Sequence, residues 1–142
     1  MLEELIDKLQ RWKVNEDQIW IESVDREVQF EIIRLNTIDQ LFNEGERADG
    51  TILPDYSETS VNFYGKRPGP IQLKDTGHFY ASFVVLAERN GILIVADDVF
   101  IYDEPLAQKY GAEIIGLTKE NIGVLSGMLL RNYIKAIRKQ LQ

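Results

Sequence analysis

Phe83 to Asp98 reads FVVLAERNGILIVADD, and this stretch sets the frame for the whole chain. Two β-rich runs, Phe83–Ala87 and Ile92–Ala96, flank Asn90-Gly91, a dipeptide that readily takes the positive φ angles of a tight hairpin turn. Nearly every strand position is apolar, which predicts a hairpin covered on both faces. Two strands alone are marginal in water. The pattern therefore predicts one or two further strands, drawn from residues 61–74.

Upstream, residues 1–43 read as helical. Leu2, Leu5, Ile6, Leu9 and Trp12 keep amphipathic spacing until KVNEDQ interrupts them, with Asn15 or Asp17 as a cap. From Ile19 the apolar positions Val24, Val28, Ile32, Leu35, Ile38 and Phe42 recur at steps of three and four, with acids and amides in the gaps. That spacing predicts one helix of about 25 residues, ended by Gly45. Downstream, DEPLAQKYG predicts a short helix with Pro105 in its first turn and Gly111 past its end. Thr118 caps a long last helix through Leu141, its apolar stripe formed by Ile122, Leu125, Leu129, Tyr133 or Ile134, Ile137 and Leu141. The fold class is α+β: a small antiparallel sheet with a central hairpin at about 83–96, packed by a long N-terminal and a long C-terminal helix. The expected organisation is one domain over 1–142. Its parts are a helical segment 1–43, a docking loop 44–72, a turn, hairpin and short helix over 73–117, and a C-terminal helix over 118–142.

The bulk composition narrows the chemistry. With 142 residues the chain is long enough to bury a core. It has no cysteine, which removes disulfides, thiolate nucleophiles and Cys-ligated metals, and fits a reducing cytosol. MLEELIDKLQRW reads as neither a signal peptide nor a membrane span. Residues 1–60 hold 15 acids and 6 bases, a net of −9, whereas 61–142 hold 8 acids and 10 bases, a net of +2. The acidic first half argues against general binding to a nucleic-acid backbone; it is either a plain soluble surface or a means of steering copies and partners together.

Residues 44–72 lose all periodicity. They are rich in Gly, Pro, Ser and Thr and carry the aromatics Tyr56, Phe63 and Tyr64, too many for plain disorder. A loop of this length is expected to dock on something, since its backbone polar groups need partners.

Just after it stands LKDTGHFYASF, residues 73–83, and its triplet Asp75-Thr76-Gly77 is the active-site signature of aspartic proteases. A dimeric enzyme of that type needs one such carboxylate from each chain, a glycine-tipped hairpin (Asn90-Gly91) and a later apolar-apolar-Gly segment (Ile114-Ile115-Gly116), all present in order. Against it, Lys74 stands where a buried strand needs an apolar residue, His78 and Phe79 follow where a small residue is expected, and half the chain is helical. The structural reading makes Asp75 a helix N-cap accepting from the amides of Gly77 and His78, with Phe79 and Phe83 buried together. His78, the only histidine, is then an ordinary polar residue. Asp97-Asp98 and Asp103-Glu104 lack the partners of a metal site, and YGKRPGP lacks the spacing of a phosphate loop. The reading is of a non-enzyme without cofactor or metal.

The ordered set ADGTILPDYSETSV, GKRPGPIQLKDTGHFYASF, NGILIVADD and LAQKYGAEIIGLT resembles the tail-completion or virion-morphogenesis proteins of tailed bacteriophages and prophages, especially those of Bacteroidetes phages. The resemblance rests on Gly50, Leu53-Pro54, Tyr56-Ser57, Thr59, Lys66, Leu73, Asp75-Thr76-Gly77, Phe79, Ser82, Leu106, Gly111 and Ile115-Gly116-Leu117-Thr118, and spans about 46–118, half the chain. It implies a structural protein of the head–tail neck or tail terminus, found in the virion and, during assembly, in the host cytoplasm. Its partners would be other neck or tail proteins, with a homo-oligomeric ring as one arrangement and no membrane. The GKRPGP stretch has only Lys66 and Arg67 as bases, which argues against contact with packaged DNA. On this reading residues 50–72 form the partner interface through Tyr56, Phe63, Tyr64, Lys66 and Arg67; the other reading folds those aromatics onto the domain's own core. Arg131, Lys135, Arg138 and Lys139 share a face of the last helix. They form either a solvated flank suited to a helix C-terminus or a strip meeting DNA or the acidic half of a neighbour.

Overall fold

The computed structural model describes residues 1–89, 91–98 and 105–142, without the side chains of Trp12 and Val14. The expectations placed on Trp12, on Asn90 and on Asp103-Glu104 fall outside the described residues.

The N-terminal third forms three helices rather than two. Helix α1 spans Leu2–Val14 and is tied along its surface by Glu4–Lys8 and Asp7–Arg11 pairs. Asn15 does not cap the next helix: its side-chain amide donates back to the Arg11 carbonyl, closing α1. Helix α2 (Glu16–Ser23) stops where Ser23 turns its hydroxyl onto the Ile19 carbonyl, and Asp25 then caps α3 (Arg26–Arg34) by accepting from the Val28 amide at 2.9 Å. The predicted single helix from Ile19 is thus broken at Val24-Asp25, and the Asp25 cap satisfies one of the amides that the restart leaves free.

Beyond Arg34 the chain widens into a π-helix, Leu35–Glu44. Extra residues per turn carry the buried face from Ile32 and Leu35 to Leu41, and rotate Ile38 out to solvent. The apolar stripe expected at Ile38 is therefore corrected. In its place the π segment buries Asn36, Thr37 and Gln40. Gly45 ends it in the left-handed region, as expected, with φ of 63°. A β-carbon there would fall 2.3 Å from Pro70, so glycine also lets the following loop close over the helix end.

Strands β1 (Val84–Glu88) and β2 (Gly91–Val95) pair antiparallel, with Val84 opposite Val95 and Leu86 opposite Leu93. Together with the long terminal helices they make an α+β fold. Two sequence expectations are corrected here. The hairpin is covered on one face only: Val85 with Ala87, Ile92 and Ile94 packs on α3 and the last helix, while Val84, Leu86, Leu93 and Val95 stay exposed. Residues 61–74 add no strand either, because Ser57 caps a short helix α4 (Glu58–Phe63) and only an isolated bridge, Asp55 to Pro70, forms beyond it.

Helix α5 (His78–Ala81) seats Phe79 against Phe83 edge-on, ring centroids 5.1 Å apart, as the four-residue spacing predicts. Helix α6 (Leu106–Tyr110) and a 3₁₀ turn (Ala112–Ile114) lead to α7, Lys119–Leu141, capped by the Thr118 hydroxyl. Leu125 and Ala136 of α7 are buried, but Ile122, expected in the apolar stripe, is exposed. The core has two clusters. One gathers Leu41, Leu53, Phe79, Phe83, Leu106 and Ile114; the other gathers Val24, Val28, Ile32, Leu35, Val85 and Leu125. Ile33 and Ile94 pack against both.

Candidate functional site

The loop that breaks all periodicity is held at both ends and along its middle. Glu46 bridges Ile52, the Leu53 amide donates to Gly45, and Arg47 donates to the Tyr110 carbonyl at 2.7 Å and to Ile52 at 3.1 Å. The Ala48 amide reaches Glu113. Farther along, Arg67 donates to the Phe42 carbonyl at 2.8 Å with its guanidinium over the Phe42 ring, and Gln72 donates to the same carbonyl. Backbone amides of Gly45 and Glu46 serve the Leu41 and Gln40 carbonyls at the end of the π segment, and the side chains of Arg67 and Gln72 serve the Phe42 carbonyl beside them. Lys74 lies 5.1 Å from the Phe42 ring centroid and 5.7 Å from that of Tyr80. The Tyr80 hydroxyl donates to the Gln72 carbonyl, and burial pushes its phenol well above the usual tyrosine range.

Of the five loop residues expected to meet a partner, three are used inside the chain. The Tyr56 hydroxyl accepts from the Gln72 amide at 2.9 Å; Lys66 lies over the Tyr56 ring and pairs with Asp75; Arg67 closes the helix end. Phe63 and Tyr64 are different. They close α4 and point away from the core, 81% and 74% exposed. The loop is thus a braced support presenting two adjacent aromatic rings to solvent.

Asp75 does not cap α5. Gly77, with φ of +84°, occupies the cap position, and the His78 amide donates instead to the Thr76 hydroxyl at 3.3 Å. Freed from capping, the half-exposed Asp75 carboxylate turns to Lys66. Asp97 and Asp98 divide their duties: Asp97 contacts His78 at 3.0 Å and its amide donates to Ser82, while Asp98 accepts from the Ala107 amide and starts α6. The Ser82 hydroxyl donates to the Phe79 carbonyl, so Ser82, His78 and Asp97 do not line up as nucleophile, base and orienter. Among the described residues no group of three His, Cys, Asp or Glu side chains converges as a metal site.

Arg131 and Lys135 stand where the spacing placed them, exposed on α7. With Arg138, Lys139, Glu22 and Asp25 they line an open groove of about 870 Å³. At the other end of α7 the acids gather. Glu46 is raised above the usual carboxylate range, first by burial and then by Glu120, Glu44 and Asp39.

One polar cluster belongs to no motif that the sequence displays. Asn36 donates to the Ile114 carbonyl and accepts from the Gly116 amide; Gln40 donates to the Gly116 carbonyl and accepts from the Thr118 amide. Two side-chain amides four residues apart thereby serve the 114–118 backbone as a neighbouring strand would. Asn121 completes the set by donating to Gln40 and Asp39. The available signal was amides recurring at the same four-residue step as the apolar positions.

The chain matches no protein-family model, no curated protein and no solved structure. Among the described residues no helix is long and apolar enough to cross a membrane.

Proposed function

We propose that the chain is a structural subunit of a phage or prophage particle, at the head–tail neck or the tail terminus, acting in assembly through protein–protein contacts. The observation that carries this reading is the Phe63-Tyr64 pair, two large rings held out to solvent by a loop whose other aromatic and basic residues are spent on bracing it. Aromatic side chains on a pre-ordered support gain contact area at low entropic cost, which suits a subunit that must recognise a neighbour in a particle. The ordered resemblance over 46–118 supplies the kind of particle. Asp75 supports the same reading, since its carboxylate fastens the loop to the turn through Lys66. The partners are then other neck or tail proteins, and the protein resides in the virion after assembling in the host cytoplasm.

The test is assembly. Particles induced from the source element are expected to contain this polypeptide, and replacing Phe63 and Tyr64 by Ala is expected to block its incorporation without lowering its melting temperature. Particles that never contain it, or that incorporate the double variant normally, overturn the reading. Should Asp75→Asn abolish a pepstatin-sensitive acid peptidase while leaving the fold intact, the chain is an enzyme instead.

A further inference from the structure

Helix α7 has a second face. Its inner face buries Asn121, Leu125 and Ala136. On the outer side Gly123, Gly127, Leu130 and Ile134 stand at i, i+4, i+7 and i+11, the spacing of a helix-pairing seam. All four are exposed, Leu130 at 60% and Ile134 at 40%. Glycine in a helix interior costs about 1 kcal/mol relative to alanine, and nothing inside the chain accounts for that cost here. A β-carbon at Gly123 would meet no atom, and one at Gly127 would meet only the Arg131 side chain at 3.6 Å.

We propose that this face pairs antiparallel with the same face of a second copy. Leu130 and Ile134 of each chain then sit over Gly127 and Gly123 of the other. The register is self-consistent: Gly123 faces Ile134, Gly127 faces Leu130, and the two-fold axis repeats both contacts. Large side chains meet small ones at every level, so the backbones can approach closely.

Charge selects the occupant. Glu120 and Arg138 are separated by about five turns and so lie on one flank of the seam, at opposite ends. Along the helix they are about 27 Å apart, well beyond a screening length of about 10 Å, and cannot neutralise each other within one chain. Among the described residues neither has an ion pair. Reversing one helix against another brings each Glu120 beside the second copy's Arg138, twice over. Arg131 swings off Gly127 and, with Lys135, stays in water. A parallel pair would instead leave both Glu120 at one end and both Arg138 at the other, with no opposite charge facing either. One helix pair is a small interface, so the expected dissociation constant is on the order of micromolar. The inference stands on α7 alone and does not need the virion reading.

Sedimentation equilibrium of the full chain tests it. The wild type is expected to show a monomer–dimer equilibrium. Arg138→Glu and Glu120→Arg are each expected to weaken it about tenfold or more. The double variant E120R/R138E is expected to restore it, because the exchanged charges meet again across the two-fold axis. Gly127→Leu is expected to abolish the dimer while holding or raising the melting temperature, since leucine favours a helix, so loss of pairing is separated from loss of fold. A chain monomeric at every concentration, a dimer indifferent to Gly127→Leu, or a charge exchange that fails to restore pairing overturns the proposal. So does a chain that stays monomeric while its α7 cations bind a labelled single-stranded DNA.

Discussion

Asn36 and Gln40 show how much one amide can hold. Each serves one carbonyl and one amide of the 114–118 backbone; the Ile114 carbonyl and the Thr118 amide are buried and the two Gly116 groups are partly buried. Asn36→Leu keeps the side chain's bulk and orphans the Ile114 carbonyl and the Gly116 amide. At about 1–3 kcal/mol for each buried unsatisfied group, the expected loss is about 2–5 kcal/mol, read from urea unfolding. Asn36→Asp keeps the acceptor for Gly116 but sets a carboxylate against the Ile114 carbonyl, so it is expected to recover stability only in acid. Glu46 is the opposite kind of residue. Burial and the nearby Glu120, Glu44 and Asp39 raise its carboxyl, so its charged form works against folding, and the stability tied to its protonation is lost as pH rises through the folded-state pKa. Glu46→Gln is expected to raise the melting temperature at neutral pH, with the gain vanishing as the pH falls through the carboxylate range. Glu31 has the reverse sign: its hydrogen bond from Arg34 lowers it, so that contribution is lost as pH falls. Thermal melts of Glu31→Gln are expected to lie below wild type at neutral pH and converge with it in acid.

Elements were legible in the sequence where local rules decide them and illegible where tertiary partners do. The Thr118 cap, the stop at Gly45 and the Phe79–Phe83 contact each depend on residues a few positions apart, and each matches its local pattern. The hairpin turn does not, because Gly91, expected in the turn at positive φ, pairs with Glu88 as the first residue of β2 and has no positive φ. The π segment does not follow from its own residues. A periodic run through Ile32, Leu35, Ile38 and Phe42 fits an α-helix, and only the backbone at 114–118, about eighty residues away, rewards the wider winding that buries Asn36 and Gln40. The loop's aromatics were legible as anchors but not as to which way each one points. Tyr56 turns inward because the Gln72 amide is within reach of its hydroxyl, a fact of three dimensions. Likewise an all-apolar hairpin cannot tell from composition which face is covered. The two faces should differ sharply under substitution: Val85→Thr is expected to cost about 1–2 kcal/mol by setting a hydroxyl in the core. Leu86→Thr, on the open face, is expected to stay within about 0.5 kcal/mol. Gly45→Ala belongs to the same scale. It forces a positive φ on alanine and drives its β-carbon into Pro70, so chemical unfolding is expected to show a loss of about 2 kcal/mol or more.

At the scale of the molecule the question is whether two core clusters unfold as one. The first lies under the braced loop and α6; the second lies between α3, α7 and the covered face of the hairpin. Ile33 from α3 and Ile94 from β2 pack against both, and the Asn36–Gln40 ladder fastens the chain segment that runs from the first cluster to α7. Shared side chains of this kind transmit the loss of one cluster to the other, so a single cooperative transition is expected. Trp20 provides a local probe because its indole N–H donates to Gly91 at the start of β2, on the side of the second cluster. In a Trp12→Phe background its fluorescence should melt together with far-UV circular dichroism. The amides of Leu53 and Ile71, which bond across the loop around the first cluster, should exchange with the same opening free energy as that of Val28. Ile94→Ala removes a side chain that both clusters touch and is expected to cost about 1–3 kcal/mol while keeping the transition single. Separate transitions, or loop amides that open far below the α3 amides in the wild type, would show that the loop and its aromatic pair ride on an independently stable scaffold. In that case the rings at Phe63 and Tyr64 would be set in place only when a neighbour binds them.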